Sequence, residues 1–360
     1  MSLLSVLLPV RDAESTVARA LQSVQEQQGV DFECVVVDDG SIDATVSVVQ
    51  RTVRGDDRFQ LIRQGRDGLV PALLRAVDAS GGQFLGRQDA DDESLPGRFK
   101  REVDYLTRNP RLGLVATGVE IRSRTGMTAG AQRYLRWLEE SCTPSQIANA
   151  LWIESPLPHP TVVFSREVYD RVGGYRDRGW PEDYDLWLRM RRQGVLMEKI
   201  PEPLYRWTDH PDRASRTLET YSRENFLLCR AHHLARFLGS RSVWVWGAGR
   251  EGKRFGRALL AEGVSIEGFI DIDPRKVGGT ARGRPVVGAE WWLAQATDPT
   301  RRGDPLSTGG HSPPSPLQLP VLSRGPIVLV AVGTSGARKQ IQGRLRGIGL
   351  REGVDFLPVA

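Results

Sequence analysis

Residues 32–50 read FECVVVDDGSIDATVSVVQ, and this stretch decides the fold class. The apolar run at residues 32–37 predicts a buried strand, which a polar turn and then a helix over residues 44–50 follow. An earlier strand at residues 3–10 also ends in a polar loop, residues 11–14. A strand, a loop and a helix repeated in succession are typical of an α/β domain built on an open sheet.

Two carboxylates, Asp38 and Asp39, directly follow the second of these strands. In open α/β sheets, ligands bind at the carboxyl ends of the strands. Either carboxylate could therefore accept a hydrogen bond from a nucleotide base or from a ribose hydroxyl. A capped helix start, with Ser41 as the cap and Asp43 in the first turn, explains the same stretch, and the two interpretations are compatible.

Residues 88–92, QDADD, place three carboxylates within four positions. Clustered carboxylates repel one another unless a cation lies among them. Mg²⁺ and Mn²⁺ prefer oxygen ligands and keep coordination positions for substrate phosphates, so the cluster predicts a divalent-metal site. The alternatives are a solvated acidic loop, or a cap from Asp91 or Asp92 on a helix predicted to begin near residue 96.

A further acidic pair, Glu182-Asp183, precedes a predicted helix over residues 184–193. A carboxylate at the start of a helix is stabilised by the helix dipole, so capping is one interpretation. A deprotonated carboxylate at the edge of a cleft can also act as a general base.

Four motifs in a fixed order carry a family resemblance. They are LPVR at residues 8–11, VVDDGS at 36–41, DADD at 89–92 and EDYDLWLR at 182–189. Together they resemble family 2 of the inverting, nucleotide-sugar-dependent glycosyltransferases with the GT-A fold, over residues 1–235. The resemblance implies transfer from a nucleotide sugar, UDP-linked, to a hydroxyl acceptor such as a sugar or a lipid-linked glycan, in polysaccharide or glycoconjugate synthesis.

The resemblance also implies roles for single residues. It makes Asp183 the general base, with Glu182 as its competitor. It makes Asp91, Asp89 and His210 the ligands of Mn²⁺ or Mg²⁺, although a lone histidine on a surface loop is the alternative for His210. The implied contacts of the donor nucleotide are Pro9, Val10, Arg11, Glu14, Asp38, Asp39, Asp89 and Ala90.

Residues 203–215 predict a polar, proline-containing loop around His210. Arg206 and Arg213 within it could neutralise a leaving nucleoside diphosphate, because a guanidinium group binds phosphate through two N–H donors. A solvated basic loop is the alternative.

A second α/β unit is predicted after residue 238. The strand VWVW at residues 243–246 leads into Gly247, Gly249 and Gly252, and Asp271 lies about 20 residues further on, as in dinucleotide-binding units. The segment resembles small Rossmann-like domains found with sugar-modifying enzymes. A nucleotide site and a glycine turn kept for helix–strand packing both fit this pattern.

The length of 360 residues favours two domains over one. We predict an α/β fold with a GT-A domain at residues 1–238, built on a mixed, mostly parallel sheet with helices on both faces. A smaller Rossmann-like α/β domain follows at residues 239–360. Its residues 296–324 are rich in Pro, Gly, Ser and Thr and predict a disordered insertion.

Composition is typical of a cytoplasmic enzyme. Three scattered cysteines provide no disulfide framework and no metal-ligand spacing. The start lacks the features of a secretory signal, and no window approaches the ~18 apolar residues that cross a bilayer. The net charge of +5 predicts no nucleic-acid partner and is compatible with peripheral contact with anionic lipid. Assembly into an oligomer through the second domain is also compatible with the sequence.

Two other functions fit parts of the sequence. A nucleotidyltransferase also combines an α/β nucleotide site with metal-binding carboxylates, but it predicts a phosphate loop rich in Gly and Lys near residue 11, which the sequence lacks. A nucleotide-sensing regulatory protein would carry an inactive first domain, and the carboxylates Asp89, Asp91 and Asp183 favour an enzyme instead.

Overall fold

The computed structural model describes residues 3–123, 126–210, 213–297, 326–334 and 336–360. The predicted insertion at residues 296–324 lies almost entirely outside these ranges. The chain divides into two compact units, one formed by Met1–Ala148 with Ser155–Ser222 and one by Asn149–Glu154 with Arg223–Ala360. The boundary at residue 238 therefore stays a prediction of where an independently folding first domain ends.

The first unit is built on one mixed sheet of eight strands, in the order β3-β2-β1-β4-β7-β6-β8-β5. Neighbouring strands from β3 to β4 run parallel, whereas β7 runs antiparallel to both of its neighbours. The strands are β1 (Leu4–Val10), β2 (Phe32–Asp39), β3 (Phe59–Gln64), β4 (Phe84–Arg87), β5 (Glu93–Ser94), β6 (Leu112–Ser123), β7 (Val162–Ser165) and β8 (Leu196–Asp209).

The helices of this part of the chain connect these strands. They are α1 (Val17–Gln25), α2 (Thr45–Thr52), α3 (Leu69–Asp78), α4 (Arg98–Arg108), α5 (Ala129–Glu139), α6 (Pro144–Ala150), α7 (Arg166–Val172), α8 (Glu182–Arg192) and α9 (Ala214–Thr217), with 3-10 turns at His159–Thr161 and Glu219–Tyr221. α7 ends at Val172, and Gly173, with a φ of 83°, supplies a left-handed cap.

The burial of β1 and β2 in the core of the first unit explains why both strands could be predicted from the sequence. Every residue of β1 is buried, and β2 is buried at all but one position. Parallel strands covered on both faces read as continuous apolar runs, as the valines of β2 do. α1 buries Val17, Leu21 and Val24 against the same cluster, at the spacing of one helix face.

Residues 203–209, predicted as a loop, are the second half of β8, so that prediction was wrong. β8 pairs in parallel with β6, and the register shifts opposite residues 200–205. Proline has no N–H to donate, and a sheet tolerates it best where the ladder is already irregular. Pro201 and Pro203 therefore mark an irregularity within the strand and not its end.

Two predicted helix caps were also wrong. α4 begins at Arg98 after Gly97, whose φ is 77°, and no side chain caps it. Asp91 and Asp92 are thus available for other contacts. α2 begins at Thr45 with no side-chain cap, and Ser41 lies too early to supply one.

The second unit carries a sheet in the order β11-β12-β10-β9-β13-β14, in which only β11 runs antiparallel. The five parallel strands follow a doubly wound order, as the glycine pattern predicted. The elements are α10 (Arg223–Leu238), β9 (Val243–Trp246), α11 (Arg250–Ala261), β10 (Ile266–Asp271), β11 (Thr280–Ala281), β12 (Arg284–Gly288), α12 (Ala289–Thr297), β13 (Ile327–Val330), α13 (Ala337–Gly347) and β14 (Phe356–Pro358).

Candidate active site

Three loops meet at the carboxyl edge of the first sheet. β1 lies between β2 and β4, and the three strands run in the same direction. The segments that follow them, residues 11–14, 40–44 and 88–92, therefore leave the sheet side by side. The sheet brings together the predicted donor contacts of the first two strands and the acidic cluster of the third.

The first two loops hold each other through backbone N–H groups. Asp12 Oδ1 accepts a hydrogen bond from Ile42 N at 2.9 Å, and Glu14 Oε2 accepts one from Ala44 N at 2.8 Å. In return, Glu14 N donates to Asp43 Oδ2 at 3.1 Å. The Glu14 carboxylate thus fixes the shape of the edge, and its contact with donor stays a prediction.

Asp39 is anchored at the end of β2 by several donors. Its Oδ1 accepts hydrogen bonds from Asp67 N, Gly68 N and Gln64 Nε2, each at 2.9 Å. Arg11 Nη1 lies 3.3 Å from Asp39 Oδ2 and balances its charge.

Asp38 is buried beside Asp39, and both its oxygens lie 3.4 Å from Ser41 N. These contacts place both carboxylates at the predicted position, while their role in donor binding stays a prediction.

The acidic cluster has the donor set of a divalent-cation site. Asp89, Asp91 and Asp92 each offer a carboxylate oxygen, and these oxygens lie within 4.8 Å of one another. The side chains of Asp89 and Asp91 keep about a quarter of their surface exposed, at 23% and 25%. Hard oxygen ligands that face solvent fit Mg²⁺ or Mn²⁺. His210 lies beside this group, because its Nε2 is 2.7 Å from Asp91 Oδ2, and its role as a metal ligand stays a prediction.

Asp92 differs from the other two because it is fully buried and bound by protein donors. It accepts hydrogen bonds from Thr208 N at 2.7 Å, from the Tyr205 hydroxyl at 3.2 Å and from Arg213 at 3.1 and 3.2 Å. Burial raises the pKa of Asp92 to about 7, its two acidic neighbours add to the shift, and Arg213 opposes it. Asp92 therefore fixes the turn that presents the other two carboxylates.

Arg213 is not part of a solvated loop. It is buried, stacks 4.8 Å from the Trp207 ring centroid, and also lies 3.5 Å from Asp89 Oδ2. Arg206, on β8, forms ion pairs with Glu93 on β5 and Glu120 on β6, the two strands that neighbour β8.

We expect Arg213→Met to lower the free energy of unfolding by about 1–3 kcal/mol, because it leaves a buried carboxylate without its charged donor. Protonation of Asp92 limits the loss. Urea titration followed by tryptophan fluorescence measures it. Arg216→Met is the matched control, since it breaks the exposed pair with Asp209 and should cost less than about 1 kcal/mol. Equal losses in the two variants would contradict the structural role of Arg213.

The predicted acidic pair opens α8, but its two carboxylates differ in surroundings. Asp183 is partly exposed, and its Oδ1 accepts a hydrogen bond from Tyr184 N at 2.7 Å. Burial raises the pKa of Asp183 to about 7, the adjacent Glu182 charge adds to the shift, and His159 opposes it.

Glu182, the predicted competitor, is only 2% exposed and lies behind Asp183 among protein donors. The Tyr221 hydroxyl donates to its two oxygens at 2.9 and 3.1 Å, and His159 Nδ1 lies 3.2 Å from its Oε1. Burial acts to raise the pKa of Glu182, but the His159 contact and the other donors outweigh it and lower that pKa.

Known proteins resemble the part of the chain that carries this site. Residues 5–173 match the family model described as glycosyl transferase family 2. The chain carries a family 2 glycosyltransferase domain. The putative glycosyltransferase EpsE of Bacillus subtilis is 28% identical over 229 residues, which are 62% of this chain and 79% of EpsE. The O-antigen biosynthesis glycosyltransferase WbnJ of Escherichia coli is 24% identical over 68% of this chain and 92% of its own length.

A solved structure gives the fold of this glycosyltransferase. S. aureus TarS 1–349, in complex with UDP-GlcNAc, superimposes with a TM-score of 0.54 at 16% sequence identity, over 73% of this chain and 71% of that chain. The predicted GT-A fold, followed by a smaller α/β unit, is confirmed. No helix within the described ranges combines the length and apolar character that a bilayer crossing requires.

Arg87 and Tyr205, which lie beside the acidic cluster of the candidate site, were not predicted from the sequence. Arg87 ends β4, is 3% exposed, and its Nη2 lies 2.7 Å from Asp89 Oδ1. The sequence feature that could have indicated Arg87 is a lone arginine at the end of an apolar strand, just before the acidic cluster. Tyr205, whose hydroxyl also accepts from Asp89 N at 3.2 Å, was hidden because its segment was assigned to a loop.

The second unit uses Asp271 to hold its glycine turn. Asp271 Oδ2 accepts from Ala248 N at 2.8 Å and from Lys276 Nζ at 3.0 Å, and Oδ1 accepts from Asp273 N at 2.9 Å. Burial acts to raise the pKa of Asp271, but these donors outweigh it and lower that pKa. The contacts favour the packing interpretation of the turn, and nucleotide binding by Gly247, Gly249, Gly252 and Asp271 stays a prediction.

We expect Gly252→Ala to destabilise the second unit by about 1–3 kcal/mol, because the added Cβ would lie 1.8 Å from Gly247 O. Gly249→Ala is the control, since its φ is −83° and no atom lies within 4 Å of the added Cβ. Thermal unfolding of both variants followed by calorimetry measures the difference. A Gly249→Ala loss as large as that of Gly252→Ala would show that the close packing is not the cause.

Proposed function

We propose that this glycosyltransferase moves a glycosyl group from a UDP-sugar to a hydroxyl acceptor in one displacement, with inversion at the anomeric carbon. The observation that carries the proposal is the pair at the start of α8. Asp183 is a partly exposed residue, and burial of its carboxyl group raises the pKa to about 7, which suits a general base working near neutral pH. Glu182 is enclosed and engaged, which leaves Asp183 as the base.

The proton transfer can be written at a stated atom. Asp183 Oδ1 is held by Tyr184 N, so Oδ2 is the oxygen that takes the acceptor proton. The acceptor oxygen then forms its bond to the anomeric carbon while the bond to the nucleoside diphosphate breaks. The leaving diphosphate carries away the electron pair, and Asp183 ends the step protonated.

The acidic cluster supports a divalent cation at the diphosphate. Asp91, Asp89 and His210 would hold Mn²⁺ or Mg²⁺, which when bound supplies positive charge to the leaving phosphates. Ion pairs with Arg87 and Arg213 restrain the Asp89 carboxylate. The buried ion pair of Asp92 with Arg213 fixes the turn that carries Asp89 and Asp91. Fixed ligands lower the cost of organising the site during the reaction.

The relatives support a role in polysaccharide or glycoconjugate synthesis. One of them, from Escherichia coli, is named a UDP-Gal:alpha-D-GlcNAc-diphosphoundecaprenol beta-1,3-galactosyltransferase and is 25% identical over 203 residues. We propose a UDP-linked donor and a glycan or lipid-linked glycan acceptor on this basis.

A donor screen tests the proposal. Release of nucleoside diphosphate is measured for a panel of UDP-, GDP- and ADP-sugars, with Mn²⁺ and with a chelator. We expect release from a UDP-sugar that the chelator stops, and NMR of the transfer product should show the opposite anomeric configuration from the donor. Metal-independent release, or a retained configuration, would overturn the proposal.

A further inference from the structure

A buried line of side chains lies behind the general base. The Tyr175 hydroxyl lies 2.8 Å from His159 Nε2, and His159 Nδ1 lies 3.2 Å from Glu182 Oε1. The Tyr221 hydroxyl completes the line from the other side of Glu182. Tyr175, His159 and Glu182 are all less than one-tenth exposed.

This arrangement keeps a negative charge next to Asp183 without offering it to solvent. A buried carboxylate is costly unless it is paired and hydrogen-bonded, and His159 and Tyr221 supply the partners. Glu182 and Asp183 are adjacent at the start of α8, so the charge of the first acts directly on the second. A like charge at this distance makes a carboxylate harder to ionise.

Other charged and titratable groups face the same place. The positive charge of Arg87 interacts with Glu182 and Tyr175. The charges of Glu182 and Asp183 both raise the pKa of the Tyr221 hydroxyl. Glu182 and His159 act on Asp183 with opposite signs. The pKa of Asp183 therefore depends on the balance between the charges of Glu182 and His159, whose positions the buried line of side chains fixes.

We propose that Glu182, held by His159 and Tyr221, is a positioning residue that sets the pH at which Asp183 becomes able to take the acceptor proton. The inference rests on the proposed function of Asp183. No proton passes to Glu182 in this scheme: the acceptor proton stays on Asp183 Oδ2, and Glu182 acts through its charge alone.

The test is the pH profile of kcat/KM for Glu182→Gln, measured between pH 5 and 9 with the preferred donor and saturating Mn²⁺. Asp183 is active when deprotonated, so the rate of the natural protein should fall as pH drops through the pKa of Asp183. Removing the neighbouring charge lowers that pKa, and we expect the acid limb to move down by about 1 pH unit. An acid limb at its original pH, whatever the absolute rate, would overturn the proposal.

A second variant keeps the proposal testable if Glu182→Gln does not fold. The double change Glu182→Gln with His159→Gln removes the buried charge together with its partner, so no buried charge is left unpaired. The Glu182 charge outweighs that of His159 at Asp183, so the acid limb should still move to lower pH, and an unmoved limb would overturn the proposal as well. Asp183→Asn separates this failure from failure of the proposed function. If Asp183→Asn keeps full turnover, the assignment of the base fails; if it is inactive and the limbs do not move, only the role of Glu182 fails.

Discussion

Asp183→Asn should reduce turnover by about 10²–10⁴-fold and leave donor affinity nearly unchanged. Asparagine keeps the shape of the side chain and an oxygen for Tyr184 N, but it cannot take the acceptor proton. The structure also limits indirect damage, because Asp183 makes that local contact at a partly exposed position. Steady-state rates at saturating donor and acceptor measure the loss of turnover, and calorimetry with the donor measures affinity.

A matched control for this variant is Asp170→Asn, which removes an exposed carboxylate from α7. It should keep full turnover. If Asp183→Asn instead loses donor affinity and turns over normally at saturation, then Asp183 is a donor contact and the base lies elsewhere.

Asp91→Asn should remove metal-dependent binding of UDP. The variant keeps the size of the side chain and takes away one charged ligand of the cluster. We expect affinity for Mn²⁺ to fall by at least the roughly 10–100-fold that loss of a supporting partner costs at metal sites. Mn²⁺ binding followed by electron paramagnetic resonance tests the site without UDP, and calorimetry with UDP tests the ternary complex.

The fold should survive the Asp91 change, because this side chain lies at the exposed side of the cluster and Asp92 carries the buried contacts. Asp104→Asn, on α4, is the control for removal of an exposed carboxylate in an ion pair. Undiminished Mn²⁺ binding by Asp91→Asn would count decisively against Asp91 as a ligand.

The sequence predicted the framework of the site because that framework depends on local patterns. β1 and β2 are mostly apolar, buried runs that lead into polar turns, and the sheet places those turns where parallel strands must place them. The position of Asp183 at the start of a helix was predicted in the same way, since α8 begins at Glu182, while its role as the base came from the family resemblance and stays a proposal. Each of these features is visible within about ten residues of chain.

The parts that could not be predicted depend on pairs far apart in sequence. Arg213 reaches Asp92 over 121 positions, and Tyr221 reaches Glu182 over 39. No local pattern marks such a pair, because either residue alone resembles an ordinary polar residue exposed to solvent. β8 was misread for a related reason: its prolines suggest a loop unless the irregular pairing with β6 is known.

The second unit shows how far a motif can be interpreted without its contacts. The spacing of Gly247, Gly249 and Gly252 suits a bound phosphate and a tightly packed turn equally well. The structure shows that two of these glycines have different surroundings. A side chain at position 249 would extend into open space, whereas one at position 252 would clash with the backbone. Asp271 binds the turn, and its contact with a ribose stays a prediction.

The ion pair between Asp92 and Arg213 limits which segments of this protein can be exchanged with those of a relative to make a chimera. A chimera that takes β8 and the following segment from a relative would import a new partner for Asp92. If that partner is not a cation, the graft leaves an acid buried in the host with no counter-charge, and the hybrid would lose about 1–3 kcal/mol of stability for a reason unrelated to any change in its activity. Grafts should therefore exchange positions 92 and 213 together, which makes this pair a limit on where a crossover can be placed within the domain.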